Sequence, residues 1–272
     1  ALAAGAGVAA LTSWLGAALI GVPLTVAGLV PGALAVWGVL ALFKRHDGKV
    51  LAYYLMHDYA FTARHRGANP PALEARLEAF KARVLDAMAS GADEVLIVGH
   101  SSGAQMGVNV LADLMRAGRL PVAGPALSFL TLGQVVPMVS FLPKATRLRA
   151  DLAYLCQQEG LTWVDVTAPG DGCTFALCDP VAVSGVAPDQ GKRWPLVISA
   201  AFTQTLTPAR WKALRWRLFE LHFQYLNAFD RPGDYDYFQI TAGPKTLAAR
   251  FAGRQPSKSR ITRAINRYTA TQ

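Results

Sequence analysis

The residues best placed to do chemistry lie in Gly99-His100-Ser101-Ser102-Gly103. This G-x-S-x-G spacing is that of a nucleophile elbow, a sharp strand-to-helix turn that presents a serine hydroxyl to open space. Gly99 and Gly103 supply room where side chains would clash across the bend. The backbone N–H of Ser102 then falls at a helix N-terminus, where it can bind a developing oxyanion. A serine hydroxyl is a poor nucleophile near neutral pH. It needs an imidazole to take its proton and a carboxylate to orient that imidazole.

The flanking sequence supplies the elements that such a turn requires. Val95, Leu96, Ile97 and Val98 make a short continuous apolar run, the pattern of a strand covered on both faces. Beyond the turn, Ala104, Met106, Val108, Leu111 and Leu114 fit a helix packed on the sheet, with Ala104 and Gly107 small enough for close contact. Further strands are expected at 126–132, 161–166 and 195–201. Helices are expected over about 50–66, 70–90, 102–117, 144–159 and 207–227. Thr207-Pro208 makes a good start for the last of these. Strands alternating with helices predict an α/β protein with a mainly parallel, doubly wound sheet.

On the residues Gly99-His100-Ser101-Ser102-Gly103, the stretch from roughly 70 to 240 resembles the α/β-hydrolase superfamily of serine esterases and lipases. The resemblance implies a chain order of serine, then acid, then histidine. Of the five histidines, His46, His57, His65 and His100 precede or adjoin Ser101, and only His222 follows it. His222 is therefore the implied base. It departs from the superfamily pattern in falling within or near an expected helix rather than on a loop. The acid is implied in the turn after the strand two beyond the elbow strand, which places Asp171 of Pro169-Gly170-Asp171-Gly172 there. Asp165, inside that strand, is the runner-up, and Asp179 and Asp189 lie in the irregular stretch that follows. His57 and His65 have no assigned role. The superfamily takes its second oxyanion donor from a loop after an early strand. No such strand and loop is readable in residues 1–70, so early strands are expected from sequence upstream of Ala1.

Composition adds a second expectation. Of 272 residues, 52% are hydrophobic and 17% charged, and residues 1–43 carry no charged side chain. That run exceeds the roughly 20 residues of one membrane span. It reads as a transmembrane helical hairpin, about 2–20 and 24–43, with Trp14 and Trp37 near the interfaces. Lys44, Arg45 and Lys49 follow, which by the positive-inside rule makes the next domain cytoplasmic. The organisation read this way is a hairpin at 1–43, a juxtamembrane linker at 44–69, a hydrolase-like domain at 70–245 and a basic tail at 246–272.

The net charge is +9, with seven Lys or Arg and no acid in 241–272. A second basic cluster, Arg210, Lys212, Arg215 and Arg217, is interleaved with Trp211 and Trp216, a composition suited to an anionic membrane surface. No recognised nucleic-acid module accompanies the charge. Cys156, Cys173 and Cys178 are an odd number for a disulfide framework, and Cys173 and Cys178 form no C-x-x-C pair, so free thiols rather than zinc ligands are expected. No cofactor is implied. The function expected is a membrane-anchored serine hydrolase using Ser101, His222 and Asp171 on lipid-like or acyl esters. The alternative is a non-catalytic hydrolase-like scaffold or binding module.

Overall fold

The computed structural model describes residues 6–11, 14, 24–121 and 124–272, which divide into two compact units, 1–61 and 62–272. The first unit holds α1 (Leu24–Arg45), a single turn at Asp47–Val50, and most of α2 (Ala52–Arg64). The Asp47 carboxylate accepts from the N–H groups of Tyr53 and Tyr54 at 2.6 and 3.2 Å, which satisfies open donors at the start of α2.

The transmembrane hairpin is corrected here. Among the described residues, no helix is long and apolar enough to cross a membrane. Absence of charge over 1–43 is a matter of composition, whereas a span also needs unbroken apolar helix. The helix that forms starts at Leu24, holds Pro31 in its interior and ends in Lys44 and Arg45. Most of the expected first span, 2–20, lies outside the described residues. The membrane localisation and the cytoplasmic placement inferred from it fall with the hairpin.

The second unit is an α/β domain around a four-stranded sheet in the order β1 (Glu94–His100), β2 (Ala126–Leu132), β3 (Thr162–Thr167), β4 (Leu196–Ser199). All three pairings are parallel, with Glu94 opposite Ala126, Ser128 opposite Thr162 and Val164 opposite Leu196. A parallel sheet is covered on both faces, which is why β2 and β3 are almost wholly buried, their polar Ser128, Thr131, Asp165 and Thr167 included. Phe129 and Trp163 enter one core with Val108, Leu111 and Leu152. Leu130, Val164 and Ile198 enter the other with Phe202, Leu221 and Tyr225.

Helices α3 (Pro71–Met88), α4 (Gly103–Arg116), α5 (Val136–Ser140) and α6 (Thr146–Leu155) surround the first core. The α4 backbone lies so close to the sheet that a Cβ on Gly107 would meet the Phe129 ring at 2.5 Å. After β3 come α7 (Pro180–Val183), then β4 and the short helices α8 (Phe202–Thr205), α9 (Pro208–Leu214) and α10 (Leu218–His222). A 3₁₀ turn at Phe223–Leu226, α11 (Tyr237–Thr241) and α12 (Leu247–Arg250) complete the elements.

The basic C-terminal segment lies along this unit. The Ser257 N–H donates to Val197 O at 2.9 Å, and the Ser199 N–H donates to Ser257 Oγ at 3.1 Å, so the outer edge of β4 is covered. Asn266 Nδ2 donates to the carbonyls of Ser140 and Ser184. The wholly buried Arg149 donates to the carbonyls of Ser140, Leu142, Pro143 and Ala270.

Candidate active site

Three consecutive strand ends build the site. Ser101 follows β1 directly and has φ +56°, a left-handed conformation that costs a non-glycine residue about 1–3 kcal/mol. The turn is held by the Ser101 N–H, which donates to Leu132 O at 2.9 Å on the neighbouring strand. Gly99 is needed for the bend, because a Cβ there would meet Ala104 Cα at 2.8 Å and Gly103 O at 3.0 Å. Gly103 is not needed in the same way. A Cβ at that position meets nothing within 4 Å. Ser102 stands at the N-cap of α4 with helical angles, φ −64° and ψ −21°, and its side chain makes no capping bond.

Asp171 occupies the turn after β3, and its N–H donates to Ala168 O at 3.0 Å. Its carboxylate is committed on both oxygens. Oδ1 accepts from the Cys173 N–H at 2.9 Å, and Oδ2 lies 2.7 Å from His222 Nδ1. Both residues of this pair are buried, Asp171 at 3% and His222 at 2% exposure. In the neutral ring this pairing fixes the tautomer: Nδ1 carries the hydrogen given to the carboxylate, and Nε2 keeps its lone pair. That Nε2 is buried and has no hydrogen-bond partner, so no bond joins it to Ser101 Oγ.

The same imidazole is nevertheless pressed against the elbow. A Cβ on Gly133, the residue after β2, would lie 2.9 Å from His222 Cε1, and Gly133 sits next to the Leu132 carbonyl that holds Ser101. His100 stacks on His222 with ring centroids 4.5 Å apart, and its Nε2–H donates to the His222 carbonyl at 3.0 Å. Residues on either side of the elbow turn thus touch the imidazole.

The histidine arrives on a helix end rather than within one long helix. The expected helix over 207–227 is broken at Arg217 (φ −100°, ψ 74°), so His222 ends α10 where the chain tightens into the 3₁₀ turn. Asp165, the other acid weighed, is nowhere exposed. Thr131 Oγ1 donates to its Oδ1 at 2.5 Å, and its Oδ2 has no partner. Burial pushes this carboxyl up to about 8. It pairs with no histidine among the described residues. Asp179 caps α7 and binds Lys192 at 2.6 Å, a structural role. His57 Nδ1 lies 2.7 Å from the Tyr53 carbonyl one turn earlier in α2.

Three neighbours of the pair were not singled out by the sequence. Burial lowers the His100 pKa more than the hydrogen bond to the His222 carbonyl raises it. Tyr225 is fully buried behind Gly133, and its hydroxyl is driven well above the usual phenol range by burial and then by the Asp171 charge. Cys173 lies beside the pair: one ligand atom from each of Asp171, Cys173 and His222 falls within 4.8 Å of the others. Burial, reinforced by Asp171, pushes the Cys173 thiol up to about 11.

Two hollows in the surface lie at the opposite ends of the strands. One is lined by Ala126, Leu127 and Gly160, the other by Thr162, Trp194 and Leu196, and neither contains Ser101, Asp171 or His222. Comparison with known proteins gave no match to any family profile, curated protein or solved structure.

Proposed function

We propose that this chain is a serine hydrolase of α/β-hydrolase type acting on carboxylic esters. The observation that carries the reading is the buried His222–Asp171 pair at the carboxyl ends of parallel strands, against the turn that strains Ser101. Carboxyl ends of parallel strands are where open α/β sheets place their sites.

In the proposed reaction Ser101 Oγ attacks the acyl carbon while its proton passes to His222 Nε2. Asp171 holds Nδ1–H and stabilises the imidazolium that forms. The Ser102 N–H receives part of the oxyanion charge. His222 then protonates the departing alkoxide, and water resolves the acyl-enzyme by the same steps in reverse. The reaction uses no cofactor. The missing Ser101–His222 hydrogen bond fits a resting enzyme, since catalytic hydrogen bonds often tighten only when substrate binds.

A second reading, a hydrolase-like domain used only for binding, is favoured by that same unpartnered Nε2. A fluorophosphonate probe separates the two. The folded chain is expected to label at one serine, with labelling abolished in Ser101→Ala. In His222→Gln the rate is expected to fall by at least about 100-fold. A folded chain that takes no label would establish the binding module instead.

A further inference from the structure

We propose that Asp171, Cys173 and His222 form a binding site for a thiophilic divalent ion of the zinc type, and that its occupancy switches off acyl transfer at Ser101. The inhibitory half rests on the hydrolase reading; the binding half does not. The donor set is mixed, with a carboxylate oxygen, a sulfur and an imidazole nitrogen within 4.8 Å of one another. Oxygen, nitrogen and sulfur together select a borderline-soft d¹⁰ ion over magnesium or calcium, which take oxygen.

A second observation is independent of that convergence. His222 is 2% exposed, and its Nε2 has no hydrogen-bond partner. With nothing bonded to Nε2, the ring can carry its hydrogen there and offer the Nδ1 lone pair to an ion beside Asp171. The Asp171 contact at 2.7 Å already holds the carboxylate and the imidazole side by side. The local backbone brings the third donor close: the Cys173 N–H bonds Asp171 Oδ1 at 2.9 Å and folds the thiol back over the pair.

Three ligands and one open position are the donor count of catalytic rather than closed structural zinc sites. Tetrahedral bonds of about 2.0–2.3 Å would part the Asp171 and His222 donors from their 2.7 Å contact and draw the Cys173 sulfur in. Binding forms bonds from the ion to an Asp171 oxygen, His222 Nδ1 and the Cys173 sulfur; the Cys173 S–H proton goes to solvent, and the His222 Nδ1 hydrogen, released from Asp171, is carried on Nε2 instead. Because the ion engages His222 and Asp171, the imidazole can no longer accept the Ser101 proton.

The test uses the full chain, stripped by a chelator and titrated with zinc against a chromophoric competitor. Binding of one ion per chain is expected, weakened by at least about 10-fold in Cys173→Ser and in Cys173→Ala, and unchanged in Cys156→Ser and Cys178→Ser. Cadmium should give the ultraviolet band of a cadmium–thiolate bond, lost only in the Cys173 variants. The ratio of fluorophosphonate labelling with and without zinc should fall in the wild type and stay near one in Cys173→Ser. No saturable binding, or equal binding by folded Cys173→Ser, overturns the site. Binding that needs Cys173 but leaves the labelling ratio at one overturns the switch. Labelling without zinc binding sinks this inference and leaves the hydrolase standing, and zinc binding by a chain that never labels does the reverse.

Discussion

Ser101 sits where its own conformation works against the fold. At φ +56° an L-residue with a Cβ is strained, and glycine is not. In an ordinary helix interior alanine is more stable than glycine by about 1 kcal/mol. The order should invert here: Ser101→Gly is expected to unfold at higher denaturant than Ser101→Ala, by roughly 1 kcal/mol, with both unable to take the fluorophosphonate label. An equal or lower midpoint for the glycine variant would show that the turn is not strained. Much of the site was readable at this scale. The tight turn at Ser101 announces itself by glycine spacing, and Asp171 lies in the turn where the resemblance implied an acid. His100 and Tyr225 were not readable, because their importance lies in packing against His222 across 122 positions in one case and behind Gly133 in the other. The approach of Cys173 to the pair was not readable either, because a turn that folds residue 173 onto residue 171 carries no sequence signature.

Elements position the site through backbone contacts that discriminate between two glycines of the same motif. A Cβ at Gly99 would collide with backbone atoms of Ala104 and Gly103, which cannot rotate away. Gly99→Ala should cost at least about 2 kcal/mol and lower labelling, since relief requires moving α4 from β1. Gly103→Ala meets open space and enters the first turn of α4, so it should be neutral or stabilising by up to about 1 kcal/mol. Paired denaturation curves check both, and equal losses would refute the steric account. The sequence reading had given the two glycines equal standing. It located β2 and β3 to within a residue at either end, because buried strands are rich in apolar and β-branched residues and are bounded by turn residues. It misjudged 207–227, where Arg215-Trp216-Arg217 keeps helical composition but the chain turns at Arg217. Composition carries helix propensity, while the break is set by tertiary packing of Leu221 and His222 into the core.

At the scale of the whole molecule, composition also misleads: the uncharged N-terminus has the make-up of a membrane hairpin, yet no helix among the described residues is long and apolar enough to cross a membrane. The domain that does fold carries an unusual internal load in Asp165. Its carboxyl is wholly buried between β2 and β4, receives one hydrogen bond from Thr131 and leaves Oδ2 without a partner. The cause of its raised pKa is burial, which favours the protonated form in the folded state. The unfolded chain gives up this proton near the ordinary 3.8, whereas the folded chain keeps it to about 8. Within that window the folded state binds more protons than the unfolded state, so stability falls as pH rises. The contribution is fully present below the lower value and is lost by the upper one. One such group supplies a slope approaching about −1.4 kcal/mol per pH unit. Asp165→Asn removes the titration while leaving an amide with an unpaired N–H, so its stability at low pH should drop by roughly 1–3 kcal/mol. The quantity to follow is therefore the difference between wild type and variant, measured by urea unfolding across the window. The wild type should be the more stable at acid pH, and its advantage should shrink and then reverse as pH climbs. A difference that stays constant with pH would mean that Asp165 ionises normally in the folded chain, and that water reaches the carboxylate between the strands.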